Sequence, residues 1–124
     1  MPDAEGVRRE IEKGVAEFNR REFFQCHETL EDVWRIYSGA EREYIQGVIQ
    51  LAVGYYHHLR GNQVGALKLL RRAHERILKF QPSCLGFDTK TLASAVLEDI
   101  ERLTSKSENG APNLAVPTIG YIRN

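Results

Sequence analysis

Residues 42–60, REYIQGVIQLAVGYYHHLR, constrain the fold more than any other part of the chain. At 3.6 residues per turn, Tyr44, Ile45, Val48, Ile49, Leu51, Ala52, Val53, Tyr55, Tyr56 and Leu59 spread around most of a helical circumference. A helix apolar on nearly every side has to be covered by other elements, so it belongs at the centre. Gly47 and Gly54 lie seven residues apart on one side of it. They lower helix propensity, but they let a neighbouring helix approach closely.

The flanking sequence supplies the covering elements. Residues 4–19 carry Val7, Ile11, Val15 and Phe18 at helical spacing. The run Asn19-Arg20-Arg21-Glu22 breaks that register, and a second helix spans about 22–37 until Ser38-Gly39 stops it. Gly61-Asn62 ends the central helix, with Asn62 as cap of a fourth, about 63–79, that places Leu67, Leu70, His74, Ile77 and Leu78 on one side. Pro82 stops it, the loop PSCLGF follows, and Asp88 caps a fifth helix to about 103 carrying Leu92, Val96, Ile100 and Leu103. Beyond Ser105 the helical pattern ends. Gly110, Pro112, Pro117 and Gly120 break the apolar run LAVPTIGYI into an extended arm, expected to pack on its own domain.

The expectation is an all-α fold: a compact multihelical bundle of about five helices, with a helical domain over 1–104 and an extended C-terminal arm over 105–124. Residues 21–26 and 61–66 each sit at a helix-turn-helix junction, an offset of 40 residues. That spacing is similar to tetratricopeptide-type hairpins, although the full repeat consensus is absent.

Composition narrows the function classes. Seventeen basic residues balance seventeen acidic ones, so no global field draws the chain to nucleic acid or an anionic membrane. Lys68, Arg71, Arg72, Arg76 and Lys79 give the fourth helix a basic side, but no aromatic residues interleave with them, and the side reads as a solvated face. The charged N-terminal stretch lacks the apolar run of a signal peptide, and no segment approaches the roughly 18 apolar residues of a membrane span. The expected location is cytoplasmic. There Cys26 and Cys84, which form no CxxC pair, are expected to be free and structural.

The second helix holds the anomaly. With His27 set at zero, Val33, Cys26, Tyr37, Leu30, Phe23 and Trp34 fall between about −120° and −20°, and Phe24 near +60°. His27 and Glu31, at about 0° and +40°, sit inside that apolar arc, while Arg35, Glu28, Asp32, Gln25, Thr29 and Glu22 fill an opposite polar face. A buried carboxylate without partners costs several kcal/mol or takes up a proton, so Glu31 requires a cation, a donor or a metal nearby. His27, one turn away, can bond it or share an ion with it. Trp34 can wall the site. On the central helix Gln46, Gln50 and His57 form a polar line about 40° wide, so His27, Glu31, Trp34, Gln46, Gln50 and His57 are the candidate binding residues.

Two readings of this cluster remain open from the residues alone. In one it is a closed hydrogen-bond network that stabilises the core of a structural or protein-interaction module. In the other it is a site for a small ligand or a divalent metal such as zinc or iron, held by His27, Glu31 and His57, with hydrolase-like chemistry. The HxxxE spacing is a weak metal pattern by itself, and position 31 departs from the HExxH zinc-protease motif. No P-loop or dinucleotide fingerprint is present.

The run His27-Glu28-Thr29-Leu30-Glu31-Asp32-Val33-Trp34 fits HxxxExxW. It is followed by Gln46-Gly47-Val48-Ile49-Gln50-Leu51-Ala52, Arg60-Gly61-Asn62 and Gly65-Ala66. This ordered set resembles the bacterial and archaeal family called domain of unknown function 309, over about residues 7–103. The resemblance implies a compact multihelical fold and marks His27, Glu31 and Trp34 as motif residues for which metal binding has been suggested. It implies no established activity, and the arm lies outside it. The metal reading predicts near-stoichiometric metal in protein purified without additions, lost in His27→Ala. Elemental analysis checks this, and metal well below stoichiometry that His27→Ala leaves unchanged contradicts it.

Overall fold

In a computed structural model describing residues 3–105 and 112–122, the apolar segment is helix α3 (Arg42–Leu59), and it is covered as its pattern requires. Helices α1 (Ala4–Asn19) and α2 (Phe23–Ile36) precede it, α4 (Gln63–Leu78) follows, and α5 (Thr89–Thr104) closes the helical series. Each helix packs on its neighbour in sequence, α1 on α2, α2 and α4 on α3, and α5 on α4. The fold is all-α apart from a small hairpin. Among the described residues no helix is long and apolar enough to cross a membrane.

Close approach explains the glycines of α3. A Cβ on Gly54 would lie 2.9 Å from Leu70 Cδ2, and one on Gly47 3.1 Å from Ile77 Cγ1, so α4 seats its apolar ridge against the bare side of α3. On the other side Phe18, Phe23 and Tyr55 meet ring to ring, with centroids 5.2, 5.9 and 6.1 Å apart. All three are essentially inaccessible. Each such ring contributes about 1.5–3 kcal/mol by leaving water. Helix α4 turns somewhat from the expected face: Leu70 and Ile77 are buried, but His74 is half-buried and Leu78 exposed.

The two junctions 40 residues apart share one geometry. Three residues separate α1 from α2 and α3 from α4, and the middle one is left-handed in both, Arg21 at φ 67° and Gly61 at φ 81°. Glu22 N donates to Glu17 O, and Asn62 N to His57 O, at 2.9 and 2.8 Å. These are repeated helical hairpins, each closed by bonds that satisfy the last carbonyls of the preceding helix. Asn62 and Asp88 cap α4 and α5 through Gly65 N and Thr91 N, both at 2.9 Å.

The segment PSCLGF, expected as a loop, instead makes strands β1 (Ser83–Cys84) and β2 (Phe87–Asp88), paired antiparallel. Leu85 and Gly86 both have positive φ, 53° and 83°, as a two-residue turn of this hand requires. Residues 112–122 run without helix and return over the helices. The arm expected over 105–124 includes residues 106–111 and 123–124, which lie outside the described residues. Leu114 and Ile119 are buried, Tyr121 bridges Phe87, and Asp88 N donates to Gly120 O at 2.8 Å. Asn19 grips the main chain of Ile119 through both ends of its amide, accepting from its N–H at 2.7 Å and donating to its carbonyl at 3.0 Å.

Asp99 fastens this return. Its side chain is wholly buried and accepts four bonds: Tyr55 hydroxyl at 2.8 Å, Arg102 guanidinium at 2.7 Å, Ala115 N at 2.8 Å and Val116 N at 3.0 Å. Val116 has φ 52°, a strained setting for a β-branched residue. That turn aims two successive amides at the carboxylate, forming an anion nest. Burial first, and the adjoining Asp99 carboxylate second, raise the Tyr55 hydroxyl far above the ordinary tyrosine range, so it stays a donor. Replacing Asp99 by Ala strands the Tyr55 hydroxyl and the Ala115 and Val116 amides, and is expected to lower the unfolding free energy by about 3–5 kcal/mol in urea titration. A loss under about 1 kcal/mol contradicts this account.

Candidate functional site: a groove along the central helix

Cover on α3 is incomplete along one strip. Gln46, Gln50, Val53 and His57, at spacings of four, three and four, are only partly buried, because α2 and α4 flank this strip without closing over it. It floors a groove.

The middle of the groove is a pocket of about 260 Å³ lined by His27, Glu31, Trp34, Gln46, Ile49, Gln50, Val53 and Leu69. Five of the six candidate residues therefore meet in one place. The sixth, His57, stands in the adjoining cleft, where Asn62 Nδ2 lies 3.4 Å from its Nδ1. It shares that cleft with His27 but does not reach Glu31's pocket.

His27 Nε2 and Glu31 Oε2 are 2.8 Å apart, with side chains 32% and 36% exposed. The buried polar site expected from the helical wheel is instead open to solvent. The buried residues of α2 are Phe23, Cys26, Leu30 and Val33, so its inner face is centred near −80° and His27 and Glu31 fall on its margin. Phe24, a further step round, is half exposed. The Oε1 atom of Glu31 accepts from Arg35 at 3.1 Å, a partner not foreseen because Arg35 belongs to the outer face, although its i+4 spacing from Glu31 allows the contact.

Beyond Trp34 the groove becomes charged. The Arg42 guanidinium stacks 3.8 Å from the Trp34 ring centroid while its Nε donates to Trp34 O at 2.8 Å. Arg76 donates to Gln50 Oε1 at 3.1 Å. Glu43 takes Lys79 at 2.7 Å and Arg76 at 3.5 Å. The Lys79 hydrogen bond first, and the two cations' charges besides, hold its carboxyl below the ordinary value. Arg42 and Arg76 were missed as site residues since their roles depend on how the helices pack. The side-chain amide of Gln46, and the NH₂ group of Gln50, have no hydrogen-bond partner among the described residues.

The donor set for a metal is short. Zinc sites use three or four protein ligands, and among the described residues no three His, Cys, Asp or Glu side chains converge as one. His27 and Glu31 supply two donors, with Arg35 already on the carboxylate. This arrangement does not fit a complete centre on one chain, and no step below runs through a metal. Nor are the thiols nucleophiles. Both are free and buried, with burial and then the Glu17 charge pushing Cys26 up to about 12, and burial and then Glu41 pushing Cys84 up to about 11.

The family model for DUF309, a domain of unknown function, matches residues 11–69, which contain every residue lining the central pocket. The chain thus matches this family over just under half of its length. It is also 38% identical over 92 residues to the uncharacterized protein YpuF of Bacillus subtilis (strain 168), an alignment covering 68% of this chain and 52% of YpuF. The chain thus spans about half the length of that relative.

A pair this exposed adds little to folding. Glu31→Ala is expected to change the unfolding free energy by less than about 1 kcal/mol, measured by urea denaturation. A loss of about 3 kcal/mol would instead mark a bond on which the core depends.

Proposed function

We propose that the groove along α3 binds a small polar molecule carrying an ester- or amide-like carbonyl, and that His27 and Glu31 act on it as an acid–base pair. The supporting observation is that the cluster is open and unsaturated. A polar network that serves only to stabilise a core is buried with its donors and acceptors paired. Here His27 and Glu31 are about one third exposed, and Gln46 has no partner among the described residues. This favours a ligand over the structural-module reading.

The chemistry follows from the contacts. A carboxylate oxygen 2.8 Å from Nε2 favours the tautomer with its proton there, which leaves the Nδ1 lone pair available. The imidazole can then take a proton from a water that attacks the carbonyl carbon, and Glu31 stabilises the imidazolium so formed. As the carbon–oxygen bond breaks, the same proton passes to the departing oxygen. Free amide donors of Gln46 and Gln50 on the groove floor are suited to the oxygen on which negative charge develops. Arg35, bonded to the far oxygen of Glu31, keeps the carboxylate oriented.

Hydrolysis of p-nitrophenyl acetate tests this reading. The wild-type chain is expected to exceed His27→Ala by roughly tenfold or more, with Glu31→Gln between them. His58→Ala, which alters a histidine bonded to Gln63 outside the groove, is expected to match wild type. Equal rates for wild type and His27→Ala would overturn the acid–base assignment.

A further inference from the structure

We propose that the ligand of this groove is amphipathic, with an apolar group of about the size of a phenyl ring seated beside His27 and a polar, amide- or ester-bearing part over Gln46 and Gln50. The inference rests on the reading of the groove as a ligand site and specifies what that site selects. His27 and Val53 line two pockets at once, the polar one described above and a second of about 180 Å³ whose other walls are Phe23, Phe24, Tyr56 and His57. The second is walled almost wholly by carbon. Closed apolar cavities of roughly 150 Å³ hold one benzene molecule, so the volume matches a single ring or a branched aliphatic group.

Phe24 supports this reading. It follows the fully buried Phe23, yet it is 52% exposed and is not part of the core. Its ring stands 6.2 Å from His27 and 6.1 Å from Tyr56, tilted at 45° and 47°, leaving aromatic faces around the opening. Packing of the helices does not require an aromatic there, whereas an apolar group lying against His27 would cover it. At the opposite end, Trp34 and Gln46 are shared with a third cleft containing Arg42, Glu43 and Arg76. There Glu43 is shared by Lys79 and Arg76 while Arg42 lies on the Trp34 ring, so the far end keeps an excess of positive charge. The groove therefore runs from apolar, through neutral polar, to cationic. An amide or ester bearing one apolar substituent matches the first two of these.

The chain has a single tryptophan, Trp34, which lines the polar pocket, so its fluorescence reports binding directly. N-acetylphenylalaninamide and N-acetylglycinamide, titrated into the full chain, share the polar part and differ in the ring. The first is expected to bind roughly tenfold or more tightly than the second. Phe24→Ser should reduce the first to the affinity of the second while leaving the second within about twofold of its wild-type value. Gln50→Ala should weaken both by the same factor. Equal wild-type affinities would overturn the apolar subsite while leaving the polar groove intact, and no response to either probe would overturn both. Light scattering supplies the remaining outcome: a wild-type dimer that Phe24→Ser converts to monomer assigns this pocket to contact between copies and overturns the inference.

Discussion

Helix α3 must be covered on nearly all sides, and everything else in the molecule is arranged by how that is done. Helix α4 meets its glycine side closely enough that a Cβ at Gly54 would collide with Leu70. Helix α2, itself held by α1, brings Phe23 against Tyr55. Two helices packed on a third cannot close over its whole circumference, and the strip left between them is the one that carries Gln46, Gln50 and His57. Polar residues on α3 are therefore placed where burial does not penalise them. The groove is a consequence of the packing as much as of the residues that line it.

The Asp99 knot completes the cover on the other side. A carboxylate with no exposure would be costly if unpaired, and here four donors from α3, α5 and the arm meet it. Those bonds hold Val116 in a left-handed conformation that a β-branched residue avoids. Asn19 and the guanidinium of Arg21, which donates to Pro117 O at 3.2 Å, continue the attachment to the first hairpin. The arm thus ties the first helix to the last.

Much of this was readable in the sequence, for a physical reason. Helical periodicity is local, so the five helices and the caps at Asn62 and Asp88 follow from spacing and side-chain chemistry alone. The convergence of His27, Glu31, Trp34, Gln46 and Gln50 follows from polar residues on facing apolar helices. What could not be read depends on the angle and depth of packing. The wheel of α2 put His27 and Glu31 within an apolar arc without showing that they occupy its margin. The same limit placed His57 in the wrong cleft and hid Arg42 and Arg76, whose long side chains reach the groove only once α3 and α4 are side by side. Asp99 was invisible for a related reason: on the sequence it is one acid among several, and its partners lie 16, 17 and 44 residues away as well as on its own helix.

The polar strip of α3 faces solvent as the floor of an open groove. Paramagnetic relaxation of the Gln46 and Gln50 side-chain amide signals by a soluble gadolinium chelate measures this directly. Both are expected to broaden strongly, as is the Trp34 indole N–H, while the backbone amides of Leu51 and Ala52 on the covered side stay sharp. Glutamine side-chain signals as protected as those of Leu51 would show a closed core network and contradict it.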